Sequence, residues 1–243
     1  MKFPELVPAI FVHRPNRFIA AVHLERGGAA YAHVPTTGRL TGVLQQGCRV
    51  WLSPAANPKR KTPYTLILAE LENKGLCSVN ATLANRLFAE ALTERKIAAF
   101  KYDLIEREVS FGRSRLDLRL SEGDQTCWIE IKSVTYVKDG VGMFPDAPTA
   151  RGRKHMDELA TLVGQGDRAS IVLIAQREDA ESFSPHEAID PDFSEKLREV
   201  HQVGVEVHAY RCAVSLKEIK IVEEIPVKLL SSMKTQLEDI NKS

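Results

Sequence analysis

The 243-residue chain has no apolar run long enough to cross a membrane, so no transmembrane segment is expected. The opening Met1-Lys2-Phe3-Pro4-Glu5 lacks the apolar stretch of a secretory signal. Cysteine is scarce. Cys48, Cys77, Cys127 and Cys212 are far apart and form no CxxC pair, which fits neither a zinc site nor a disulfide framework. A cytoplasmic protein with reduced thiols is the expectation. There is no GxxxxGK[ST] phosphate loop; Gly164-Gln165-Gly166 follows a helical pattern instead of opening one. No pair of helices joined by a short glycine turn suggests a helix-turn-helix regulator, and no internal repeat is evident. Hydrophobic residues at 44% and charged residues at 27% are those of an ordinary globular chain.

Charge is unevenly spread. Residues 1–80 hold ten lysines and arginines against four glutamates and no aspartate, a net of +6, which leaves −5 for the rest. A basic front on an acidic body suggests an anionic partner, most simply nucleic acid; a solvated basic face without a partner is the alternative.

The first 75 residues alternate short apolar runs (9–13, 17–24, 29–34, 49–53, 64–71) with Gly, Pro and Asn turns, which predicts an all-β segment. Five short strands suit a small OB-like barrel. Tyr31, Trp51 and Tyr64 either stack on bases or fill the barrel. His13, His23 and His33 recur every ten residues, which is no metal spacing. Beyond Asn80, a good N-cap, Leu83, Leu87 and Ala91 mark a helix. Strands follow near 103–111, 115–120 and 127–134, then a long loop over 138–153. Next come a helix near 154–163, a strand at 170–175, a helix near 193–202 and a strand at 205–210. This order predicts an α/β domain with a mixed sheet. The pattern over 227–240 predicts a terminal helix, docked or forming a homodimer contact. The domains expected are 1–78, the basic barrel, and 79–243, the α/β domain.

Chemistry concentrates in residues 115–133, RLDLRLSEGDQTCWIEIKS. Alternation puts Leu116, Leu118 and Leu120 on one face of the first strand, and Cys127, Ile129 and Ile131 on one face of the second. Asp117, Glu130 and Lys132 share the other face. With 121–126 as a six-residue connection, Leu120 pairs with Cys127 and Asp117 lies opposite Glu130, Cβ atoms roughly 5 Å apart. Two acids so placed repel unless a cation compensates, and Mg²⁺ (or Mn²⁺) is held by one or two carboxylates plus waters and substrate phosphates. Lys132 would orient an attacking water. This is an arrangement for metal-dependent phosphodiester cleavage, with Asp117 and Glu130 as metal ligands. The alternative is an exposed cross-strand charge cluster. Glu-x-Lys alone carries little weight, since the chain has four such triplets (starting at Glu72, Glu94, Glu130 and Glu218) and only the third has an Asp suitably upstream. Glu90 could join from the preceding helix or be an ordinary solvated position. Arg151, Arg153, Lys154 and His155 gather before a helix start, a natural phosphate site; a solvated basic loop is the alternative.

At these residues the chain resembles the sugar fermentation stimulation protein family, through VNATLANRL at 79–87, GRSRLD at 112–117, EIKSVT at 130–135 and FPDAPTARGRKH at 144–155. The resemblance implies an N-terminal OB-like domain and a C-terminal domain similar to PD-(D/E)xK nucleases. It implies DNA binding without strong sequence preference, and a link to regulation of sugar, notably maltose, metabolism. It sets Asp117, Glu130 and Lys132 on the nuclease triad, with Glu90 as the possible helix acid. Arg113 and Arg39 complete the expected phosphate contacts. One departure is Thr36 in Pro35-Thr36-Thr37-Gly38-Arg39, where the family has Asn. Two rivals remain: a catalytically inactive DNA-binding regulator on a nuclease-like fold, and an enzyme acting on a nucleotide or small phosphate.

Overall fold

The computed structural model describes residues 1–57, 59–72, 75–112 and 114–229. The N-terminal segment forms β1 (Val7–Asn16), β2 (Ile19–Leu24), β3 (Ala29–His33), β4 (Arg49–Pro54), β5 (Tyr64–Glu70) and β6 (Leu76–Ser78). Their order is β3-β2-β1-β4-β5-β6, and parallel pairing of β3 with β5 (Ala32↔Tyr64, His33↔Thr65) closes the sheet into a barrel. Closure removes the edges that an open five-stranded sheet would expose. Small and branched side chains fill the interior: Ala9, Ala20, Val22, Ala32, Val50, Leu52 and Leu66. Trp51, Ile67 and Leu68 point outward, into the core of the second half. Trp51 is therefore a packing residue and no stacking platform; Tyr31 stays 55% exposed.

The second half runs α1 (Thr82–Thr93), β7 (Leu104–Phe111), β8 (Ser114–Glu122), β9 (Gln125–Val134), β10 (Tyr136–Lys138), β11 (Val141–Phe144), α2 (Ala150–Gly164), β12 (Arg168–Ala175), β13 (Ser182–Pro185), α3 (Pro191–Gln202), β14 (Glu206–Val214) and β15 (Ile219–Ile225). A six-stranded sheet of order β15-β14-β12-β9-β8-β7 is parallel through β9, β12 and β14 and antiparallel at both edges. α1 covers one face; α2 and α3 cover the other. The central strands are thus buried on both sides, and residues 171–175 of β12 read as a continuous apolar run. This is the OB-like barrel with a mixed-sheet α/β domain expected from the sequence. No helix among the described residues is long and apolar enough to cross a membrane.

Several details differ from expectation. The loop expected over 138–153 contains β11, which pairs with β10 and β13 in a small separate sheet. α2 begins at Ala150, earlier than predicted, because Thr149 Oγ1 accepts the Gly152 N–H at 3.0 Å and caps it. Asn80 does serve the start of α1: its Oδ1 accepts from Thr82 N at 3.1 Å, although the regular helix begins two residues later. Past Leu229, the expected terminal helix lies outside the described residues.

The halves are locked together. Ser78 N donates to Gln176 O, Ala81 N to Pro35 O, and Phe3 N to Lys217 O. Asp146, from the loop after β11, accepts from Leu40 N at 3.0 Å on the barrel side. A Cβ on Gly38 would come within 2.5 and 2.7 Å of the same carboxylate. Gly38→Ala therefore displaces Asp146 and breaks that bond. The expected cost is about 1 kcal/mol in urea unfolding, not additive with Asp146→Ala. Independent, additive losses would contradict the contact.

Candidate metal and nucleic-acid site

β8 and β9 pair from Glu122↔Gln125 to Leu118↔Ile129, with Leu120 opposite Cys127. The expected register holds, but the connection is a two-residue turn, with Gly123 at φ 56° in its first position. The ladder stops at Leu118, so the expected Asp117–Glu130 cross-strand pair does not form, and the two acids reach different helices, Asp117 to α1 and Glu130 to α2. On the other flank, β7 pairs Arg107 with Leu118 and Val109 with Leu116, leaving Glu108, at φ 54°, and Asp117 between them. The strand changes face here: Leu118 and Leu120 pack beneath α1, whereas Leu116 joins the α2–α3 core. The single leucine face predicted for β8 is thus broken at Asp117.

That break frees the Asp117 carboxylate for other bonds. Its Oδ2 accepts the Ile131 N–H at 2.7 Å, in place of a ladder carbonyl, and its Oδ1 accepts from Asn85 Nδ2 of α1 at 2.5 Å. Glu130 is 4% exposed and lies under α2. Its Oε1 takes the Lys132 ammonium at 2.6 Å and also the His155 Nδ1. Arg151 Nε donates to His155 Nε2 at 3.3 Å, so the ring proton sits on Nδ1 and goes to Glu130. Glu130 Oε2 is buried with no hydrogen-bond partner.

Electrostatics separate the two acids. Burial, then the nearby Glu130 charge, push Asp117 up to about 6, against the Ile131 N–H, Lys132 and Asn85. Burial also works to raise Glu130, but the His155 hydrogen bond and Lys132 outweigh it and hold its carboxyl below the usual range. A proton therefore goes to Asp117 first. An orphaned buried carboxylate oxygen near a second buried carboxyl fits the donor set of a hard divalent cation that keeps waters. Among the described residues no cluster of three metal-ligating side chains forms. Two carboxylates, with water and phosphate oxygens, suit Mg²⁺ or Ca²⁺.

The remaining candidates disperse. Glu90 sits 3.5 Å from the Met1 ammonium, in a cleft with Glu94, Lys96 and Glu218. Five residues separate it from Asn85, which puts it on another side of α1. Asn85 is the α1 residue that meets Asp117, and no charge pattern in the sequence marks it. Arg151, Arg153, Lys154 and His155 fan out over the first turns of α2. His155 is 3% exposed and cannot touch a strand directly. Arg153 is held by buried Asp190 at 3.1 Å, which also caps α3 and accepts Thr149 N. Lys154 lies 3.8 Å from Glu158, and Arg151 is exposed. Arg39 is exposed; Arg17, not Arg39, lines the cleft beside Lys132. Arg113 lies outside the described residues. Thr36, the departure from the family pattern, fills the turn role, its Oγ1 accepting Gly38 N at 3.2 Å.

A closed OB-like barrel joined to a mixed α/β domain, with two acids and a lysine near the strand break, defines a barrel-plus-α/β class of protein. The chain belongs to the sugar fermentation stimulation protein family. Residues 82–218 match the family model described as "Sugar fermentation stimulation protein RE domain", and residues 12–79 match "SfsA N-terminal OB domain". A sugar fermentation stimulation protein homolog of Desulforamulus reducens is 44% identical over 93% of this chain and 94% of its own. The Moorella thermoacetica homolog is 44% identical over 92% and 97%. The solved structure of Pyrococcus furiosus SfsA, in complex with Ca²⁺, superposes with a TM-score of 0.87 at 30% identity, covering 94% of this chain and 98% of that one.

Proposed function

We propose that the chain binds DNA without sequence preference and hydrolyses its phosphodiester bonds with a divalent cation, Mg²⁺ or Mn²⁺, held by Asp117 and Glu130. The observation that carries this reading is the unpartnered, buried Glu130 Oε2 beside an Asp117 carboxyl pushed up to about 6. The Ca²⁺ complex of the P. furiosus relative supports a divalent cation in this family. When bound, such a cation supplies positive charge at a phosphate oxygen and makes a bound water more acidic. Asn85 and the Ile131 N–H orient Asp117, while His155 and Lys132 fix Glu130 Oε1 and leave Oε2 free. Lys132, 2.6 Å from Glu130 Oε1, is placed to hold a water or a phosphate oxygen once a substrate draws it away. The basic barrel attracts the polyanion, so binding falls steeply with salt.

A second reading is a DNA-binding regulator on an inactive nuclease-like fold. It is favoured by Lys132 being engaged with Glu130 and by only two acids meeting at the centre. Either reading would carry the link to sugar metabolism through DNA. The test is labelled single- and double-stranded DNA with and without Mg²⁺ or Mn²⁺, for the wild type and Glu130→Ala. Cation-dependent cutting by the wild type alone is expected. Uncut DNA in every lane, with binding intact, would establish the regulator reading.

A further inference from the structure

Asp117 and Lys132 open onto different clefts. One, of about 260 Å³, lies between barrel residues 36–38 and loop 144–149, and Arg17 and Lys132 line it. The other, of about 410 Å³, lies between the start of α1 and β7, and Asp117, Asn85, Arg86 and Arg107 line it. Ala81 lines both, so Asp117 in one cleft and Lys132 in the other flank the place where the two meet, with Glu130 buried behind Lys132. Resting on the reading proposed above, we infer that an unpaired DNA strand crosses this centre, from Arg17 on one side, over Ala81, to Arg86 and Arg107 on the other.

Size selects an unpaired strand. The first cleft is smaller than the roughly 300–1,000 Å³ of ordinary small-ligand sites. A cleft of that size suits one splayed nucleotide better than a stacked base pair with its second strand. Its walls match that occupant. Pro148 is exposed there beside the partly buried Phe144, and the Thr36, Ser133 and Thr149 side chains add polar lining for sugar and phosphate.

Charge selects a polyanion. Arg17, Arg86 and Arg107 are exposed, and none forms an ion pair among the described residues. The acids beside them are already engaged: Asp146 with Leu40 N, and Glu108 with Arg115 at 3.3 Å. Three guanidinium groups without an ion pair among the described residues thus flank the centre from both lobes. The contact between Asp146 and the barrel turn holds the first cleft's two walls in register.

The test uses the full chain in EDTA and fluorescence anisotropy with a labelled oligothymidylate and a blunt duplex of equal length. The wild type is expected to prefer the single strand about tenfold or more. Arg17→Ala, and the pair Arg86→Ala with Arg107→Ala, each weaken single-strand binding about tenfold and flatten the salt slope by about 0.7 per arginine. Duplex binding changes less than about twofold, and melting temperatures stay put, since all three side chains are exposed. Duplex bound as tightly as single strand, or arginine variants that bind like the wild type, would overturn the strand path. Parallel incubation with Mg²⁺ separates the two proposals: uncut DNA there defeats hydrolysis and leaves the anisotropy result to decide the path alone.

Discussion

Asp117→Asn is expected to stabilise the cation-free protein and to stop DNA cleavage. Asp117 titrates at about 6 in the fold, against about 3.9 when unfolded. Each unit is worth about 1.4 kcal/mol, so holding the ionised form above pH 6 costs on the order of 2–3 kcal/mol. The sign follows from the direction of the shift. The cost is absent below the unfolded value, grows between about 4 and about 6, and is complete above. In EDTA the wild type should lose stability as pH rises through that window, while Asp117→Asn should not show this loss. Asparagine keeps the geometry: its carbonyl takes the Ile131 N–H, and Asn85 turns its own amide to accept from the new Nδ2. The melting temperature should rise by about 4–8 °C in EDTA. Mg²⁺ should raise the melting point of the wild type and leave the variant unmoved. Cleavage should fall by about 10²–10³-fold or more. A variant that melts below the wild type in EDTA, or still cuts DNA at the wild-type rate, would contradict the paired-acid centre.

The sequence carried the barrel and the mixed sheet because their patterns are local. Gly, Pro and Asn turns punctuate β1 to β5, and IVLIA at 171–175 in β12 is an unbroken apolar run. The pairing of Leu120 with Cys127 was legible from the alternation of the two strands together with an assumed connection over 121–126. What was not legible depends on tertiary contact. Alternation cannot show that β8 changes face at Asp117, because Glu108 on a neighbouring strand takes part in the break. Nor does a basic run reveal that Arg153 is claimed by Asp190, 37 residues away. His155 reads as one more titratable group near a helix start; only the packing of α2 on β9 turns it inward to Glu130. Asn85 is invisible for the same reason, and Glu90 stood out because it is charged.

His155→Ala is expected to be the costliest single change near the centre. The ring is 3% exposed, and its Nδ1–H satisfies the oxygen of a carboxylate that is 4% exposed. Removing it opens a cavity under α2 and leaves Lys132 as the remaining partner of Glu130 Oε1, while Oε2 already has none. Breaking a buried pair and truncating a core ring together cost about 3–5 kcal/mol, read as a lower urea midpoint. Stability alone would not show that the ring positions a ligand, so a second variant is needed. In His155→Asn the side-chain amide nitrogen lies near the place of Nδ1 and can still donate to Glu130. Calorimetric titration with Mg²⁺ should then show about 10–100-fold weaker binding for His155→Ala and substantial recovery for His155→Asn. Wild-type Mg²⁺ affinity in a destabilised His155→Ala would mean the histidine only packs. It would also leave the orientation of Glu130 Oε2 to Lys132 alone.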